Sequence, residues 1–226
     1  MNIMRYLLYF IYIGWHWGVD LAFFIIRHEI RGEKKYGIRT IGTDSLAAEV
    51  SAEDRKHVAM YEPVNYYTAT WLLDHVQPAD LSTTLLDVGC GRGRVLAMGA
   101  AYGFQALAGI DLSPRLYKAS IQMRDSLYDR YKDIRINISC EDAREYIIPE
   151  TVGVIFLFNP FDEMIMEAFI SRVKESLQRR QRPLKILYAN PQCKQQWLDA
   201  GFRETDSFVK MEILKGCVLE HTPQAR

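Results

Sequence analysis

The stretch Leu85 to Ala100 reads LLDVGCGRGRVLAMGA: an apolar run, the acid Asp87, then Gly89, Gly91 and Gly93 before a helical pattern. Glycine loses the most conformational freedom on folding, so this clustering implies left-handed backbone or a ligand within reach of the main chain. Downstream, the strand-like run Ala106–Asp111 ends in an acid 22 positions after Gly89, followed by Leu112 and Ser113-Pro114. In one βαβ unit an acid at that spacing can accept both hydroxyl hydrogens of a ribose diol. Placed before Ser113-Pro114, it can equally serve as a helix-capping acid. A third acid, Asp142, follows another strand-like run with Ala143 beside it. There a carboxylate and adjacent amides can meet the polar edge of adenine, or simply open a solvated helix. Asp87 is the carboxylate nearest a cationic ligand centre, or else a brace for the loop. Asn159-Pro160-Phe161 closes a further apolar run. Its amide can orient an attacking atom and its ring can wall it in, unless the pair is only a strand-ending turn. Asp162, Glu163 and Tyr188 are candidate bases, none singled out by the sequence.

These residues need a scaffold that gathers strand ends. Strand-like runs at Thr84–Val88, Ala106–Asp111, Ile134–Ile138, Val154–Phe158 and Lys185–Tyr188 alternate with helical patterns at Arg94–Tyr102, Pro114–Tyr131, Met164–Gln178 and Cys193–Ala200. Such alternation predicts a parallel sheet covered on both faces. Phe208–Leu214 and Cys217–His221, separated by Lys215-Gly216, predict a closing antiparallel hairpin. The expected architecture is an α/β three-layer sandwich, Rossmann-like, with a mostly parallel seven-stranded sheet. Its ligand would sit beyond the carboxyl ends of the strands.

Three segments are expected: a hydrophobic N-terminal helix over 1–31, an arm and helix over 32–80, and the catalytic-type domain over 81–226. Leu7–Ile26 holds about twenty mostly apolar residues, the length of a bilayer-crossing helix. His16 and Asp20, one turn apart, and central Trp15 and Trp17 argue against a simple span and for a packed or interfacial helix. Basic residues after the run would leave the main domain in the cytoplasm, at the inner face of the membrane if the helix attaches there. Gly32, Gly37 and Gly42 read as breakers in an arm of little regular structure. Lys+Arg and Asp+Glu both number 28, so no basic imbalance calls for nucleic acid. Four scattered cysteines without histidine partners at ligand spacing exclude structural zinc as an expectation. No feature specifies an oligomeric state.

D-V-G-C-G-R-G-R, G-I-D-L-S-P, E-D-A and F-N-P-F, in this order, resemble class I S-adenosylmethionine-dependent methyltransferases. With Lys35–Thr40, Met60–Pro63 and Leu157–Phe161, the chain is similar to a group of largely uncharacterised bacterial methyltransferases from about Tyr36 to Phe202. The resemblance implies S-adenosyl-L-methionine as methyl-donor cosubstrate and no metal. It implies Gly89 and Gly91 at the methionine portion, Asp111 at the ribose, Asp142 at the adenine, Leu112 and Ala143 as further donor-binding residues, and Tyr61 as a pocket wall. Asn159 and Phe161 would stand at the transferred methyl, with an unidentified acceptor atom, a nitrogen of a protein side chain or small molecule being one option. Arg94 occupies the position where the dinucleotide pattern has glycine or alanine, which disfavours a nicotinamide cofactor. A non-catalytic S-adenosylmethionine-binding or scaffold protein is the alternative.

Overall fold

The computed structural model describes residues 3–40, 62–158 and 161–223. Five parallel strands form the sheet's body: β1 (Thr84–Val88), β2 (Ala106–Asp111), β3 (Arg135–Cys140), β4 (Val152–Phe158) and β5 (Leu184–Ala189). β7 (Leu214–His221) joins β5 antiparallel and β6 (Arg203–Lys210) closes the edge, giving the order β3-β2-β1-β4-β5-β7-β6. The order reverses direction between β1 and β4, and sheets of this kind open a ligand crevice at such a point.

Successive side chains on the buried strands feed opposite faces, as the pleat requires. Leu85 and Phe156 pack under α3 (Tyr66–Leu73), α4 (Arg94–Tyr102) and α5 (Pro114–Tyr128). Leu86 and Ile155 pack under α6 (Glu163–Arg179) and α7 (Lys194–Asp199). The expected three-layer sandwich with its hairpin is therefore present.

Three local expectations differ. The hairpin turns at Met211–Ile213 rather than Lys215-Gly216, because Lys210 pairs with Leu214 and Gly216 sits inside β7 against the Phe208 ring. Met211 and Glu212 carry that turn at φ 52° and 62°. The N-terminal apolar run is not one helix. Gly18, at φ 96° and ψ 155°, breaks it into α1 (Ile3–Trp17) and α2 (Val19–Tyr36), which fold back on each other. His16 and Asp20 thus fall on separate helices, both exposed. No described helix is long and apolar enough to cross a membrane. Finally, α2 continues past residue 31 and through Gly32. That glycine is a contact rather than a breaker, since a Cβ on it would lie 2.2 Å from the Tyr66 ring. The left-handed Gly37 ends the helix instead, as glycine does at many helix ends.

Candidate functional site

The carboxyl ends of β1, β2 and β3 lie side by side, Asp87 in register with Gly109 and Asp111 with Cys140. The chain leaves β1 through a loop whose three glycines have φ of 73°, 54° and 80° at Gly89, Gly91 and Gly93. All three are left-handed, where a side chain is strained. A Cβ on Gly93 would also lie 2.0 Å from Cε of Met123. The loop is held by its own amides. Gly89 and Cys90 N–H both donate to the Ile110 carbonyl at 2.9 Å, Gly91 N–H to Asp111 Oδ2 at 2.8 Å, and Gly93 N–H to the Cys90 carbonyl at 2.8 Å.

Asp111 therefore joins β2 to the glycine loop. Its Oδ1 accepts the Ser113 N–H at 2.9 Å, and the α5 cap is Ser113, whose Oγ accepts the Leu116 N–H at 3.2 Å. Asp87, 4% exposed, sits near Asp111. Burial, and then the charge of Asp111, push its carboxyl up to about 8. Two neighbouring buried carboxyls favour a cation over water or an anion. Asp142 follows β3 as expected and Ala143 is buried, while Leu112 is exposed. Burial alone would raise the Asp142 carboxyl, but hydrogen bonds and charge from Arg144 hold it below the usual range. The Arg144 N–H reaches Oδ1 at 2.8 Å and its Nη2 reaches Oδ2 at 2.6 Å.

Asn159 and Tyr61 lie outside the described residues. Phe161 is half-buried with its ring 6.1 Å from Phe169, on the α6 side. Two candidate bases have structural duties. Asp162 caps α6, its Oδ1 accepting the Ile165 N–H at 3.2 Å. Tyr188 is a fully buried core residue whose hydroxyl accepts the Cys193 N–H at 3.3 Å, and burial raises its phenol. It is not positioned as a base. Asn190, which follows β5, adopts φ 48°.

One residue was read by its spacing and missed for its role. Arg94, the first residue of α4, is 3% exposed and fully enclosed by the N-terminal segment. Its Nη1 and Nη2 donate to the two carboxylate oxygens of Glu29 on α2, each at 2.8 Å. Nε donates to Thr40 Oγ1 at 2.6 Å, Nη1 also to the Val64 carbonyl at 2.7 Å, and the guanidinium lies 4.1 Å over the Tyr66 ring. This paired, stacked arginine fastens the hairpin to the helix that opens the glycine loop. The sequence signal is a basic residue at a position of helix–strand packing. Among the described residues no group of three or more histidine, cysteine, aspartate or glutamate side chains could hold a metal.

No family model and no curated protein matches the sequence. Solved structures do. Over 70% of this chain and 77% of its own, the 1,6-didemethyltoxoflavin-N1-methyltransferase of Burkholderia thailandensis, holding 1,6-didemethyltoxoflavin and S-adenosylhomocysteine, aligns at 15% identity and TM-score 0.51. A ribosomal protein L11 methylase from Lactobacillus delbrueckii subsp. bulgaricus aligns over 72% of this chain and 90% of its own, at 14% identity and TM-score 0.51. The Pyrococcus abyssi tRNA (uracil-54, C5)-methyltransferase aligns over 71% of this chain and 39% of its own, at 13% identity and TM-score 0.52. The chain has the Rossmann-like class I methyltransferase fold.

Proposed function

We propose that the chain is an S-adenosyl-L-methionine-dependent methyltransferase whose donor lies across the carboxyl ends of β1, β2 and β3. The observation that carries this reading is the buried Asp87–Asp111 pair beside a loop of three left-handed glycines at the switch point. A pair of buried acids matches a ligand carrying a cationic centre and a diol, and a bare-backbone loop admits close approach. The solved likenesses bind S-adenosylhomocysteine in two of the three cases named. Bound, the donor would supply an activated methyl. The protein's own residues would orient it: Gly89 and Gly91 by backbone shape, Asp87 by charge, Asp111 and Leu112 at the ribose, Asp142 and Ala143 at the base. Tyr61, Asn159 and Phe161 belong to the same proposal at the pocket wall and the transferred methyl. In-line displacement needs mainly positioning and exclusion of water.

Calorimetry tests this. S-adenosylhomocysteine should bind the purified protein, and Asp111→Ala should weaken it by more than about 1 kcal/mol, the net worth of charged hydrogen bonds. Absence of binding by the wild type, or preference for NAD, overturns the reading.

The outer side of the α1–α2 hairpin supports a second element of the proposal, a cytoplasmic enzyme resting on the inner face of the membrane. Leu8, Ile11, Trp15 and Phe23 are 60%, 55%, 87% and 65% exposed, with exposed Arg5 and Arg27 nearby in the chain. An apolar helical face with basic neighbours lies in the interface of an anionic bilayer rather than across it. Leu8→Glu with Trp15→Glu should abolish co-sedimentation with vesicles containing a third phosphatidylglycerol while leaving thermal unfolding unchanged. Equal recovery of wild type and double variant in the vesicle pellet sinks this element alone.

A further inference from the structure

A cavity of about 260 Å³ opens between the N-terminal hairpin, the β6–β7 hairpin and the ends of β4 and β5. None of the glycine-loop residues and none of Asp87, Asp111 and Asp142 lines it. Its walls include Ile13 from α1, Leu21 from α2, Phe158 ending β4 and Leu214 opening β7. Phe158 ends β4 and Asn190 follows β5, so the cavity opens at the carboxyl end of the sheet, on the β4 side of the switch point.

The polar part of the lining includes Glu62, Asn65, Thr68 and Asn190, with Lys215 as an exposed cation. Thr68 is 3% exposed, lines the cavity, and its Oγ1 has no hydrogen-bond partner among the described residues. A buried hydroxyl left unpaired costs free energy, and that cost is removed by a ligand that pairs with it. Glu62, also in the lining, accepts the Tyr9 hydroxyl at 3.3 Å, a long contact that leaves room for a better partner. Burial raises the Glu62 carboxyl, which disfavours a second anion beside it.

Resting on the methyltransferase reading, we infer that this cavity is the acceptor site and that it takes a small neutral ring compound whose O–H or N–H is held by Thr68 and Glu62. An apolar cavity of about 150 Å³ accommodates benzene, so the volume here suits a two-ring molecule. A folded protein substrate or a nucleic acid strand does not fit within it, although an extruded side chain or base would.

The probe is 2-naphthol, with 2-naphthoate as its anionic counterpart, titrated calorimetrically into full-length protein with and without S-adenosylhomocysteine. Naphthol should bind and naphthoate should not. Ile13→Phe, which fills the cavity, should abolish naphthol binding while S-adenosylhomocysteine still binds. Thr68→Val, which keeps the shape and removes the unpaired hydroxyl, should weaken naphthol about threefold to tenfold, the range of one hydrogen bond. Equal binding of both naphthalenes, undiminished naphthol binding by Ile13→Phe, or an unchanged affinity in Thr68→Val overturns the inference. If S-adenosylhomocysteine binds and naphthol does not, the acceptor inference falls and the donor reading stands. If naphthol binds and S-adenosylhomocysteine does not, the pocket stands as a ligand site and the methyl-transfer reading falls.

Discussion

At the residue scale, the buried acids decide how the donor crevice behaves with pH. Asp87 has its carboxyl pushed up to about 8 in the folded chain, against about 3.8 when unfolded. The folded state therefore holds a proton that the unfolded state releases, so this group stabilises the fold fully below pH 4 and loses that contribution as pH rises to 8. Asp87→Asn should remove that slope from the ligand-free protein and raise its stability above pH 8, the direction required by a carboxyl pushed from 3.8 up to about 8 on folding. Chemical denaturation at pH 6 and pH 9 checks it, and equal pH slopes for the two proteins would refute it. A cationic ligand favours the ionised acid, so S-adenosylmethionine should bind more tightly at pH 9 than at pH 6, and Asp87→Asn should flatten that dependence. The acids themselves were legible because strand, glycine and acid recur at a spacing that the βαβ unit imposes. Their partners were not. That Asp111 braces Gly91 and that Arg144 grips Asp142 depends on rotamers no pattern encodes.

At the scale of elements, the alternation of apolar strands with helices was plain in the sequence from Thr84 onward, because buried parallel strands are short continuous hydrophobic runs. The N-terminal elements depart from the expectation for one reason, the double meaning of glycine. Gly18 and Gly32 look alike in sequence, yet one breaks a helix by its backbone and the other lets a ring pack against a helix. The two should respond differently to alanine. At Gly18 a Cβ meets nothing within 4 Å, so Gly18→Ala carries only the backbone strain of φ 96° with ψ 155°, a region essentially reserved for glycine, about 2 kcal/mol. At Gly32 a Cβ would sit 2.2 Å from the Tyr66 ring, beneath the stacked Arg94, so Gly32→Ala should cost about 3 kcal/mol, at the upper end of overpacking. Thermal denaturation of the two variants checks the order, and equal losses would contradict it. The turn between β6 and β7 lies earlier in the chain than Lys215-Gly216 for a related reason. Met211 and Glu212 take left-handed backbone that sequence rules reserve for glycine and asparagine.

At the scale of the whole molecule, the N-terminal hairpin is part of the fold's working body. Its inner side packs through Tyr9, Ile13 and Leu21 onto Leu214 of β7, and Phe24 meets Tyr67 of the α3 helix with ring centroids 5.0 Å apart. The Glu29–Arg94 pair then joins it to the first residue of α4, directly after the glycine loop. Removing one partner of such a buried pair strands the other charge and costs about 3–5 kcal/mol, whereas replacing both by apolar groups is far milder. Glu29→Gln should accordingly destabilise strongly, and Glu29→Met with Arg94→Met should recover most of the loss. Because this pair ties α2 to the residue that directly follows Gly93 of the glycine loop, occupancy of the donor crevice should be felt in the hairpin. Amide hydrogen exchange in α2 should slow when S-adenosylhomocysteine binds, although no residue of α2 belongs to the proposed donor site. In the Met–Met variant the ligand should still protect the glycine loop while its protection of α2 falls. Undiminished α2 protection in that variant would mean that the hairpin senses the ligand by another route, and equal exchange in α2 with and without ligand in the wild type would mean that it does not sense it at all.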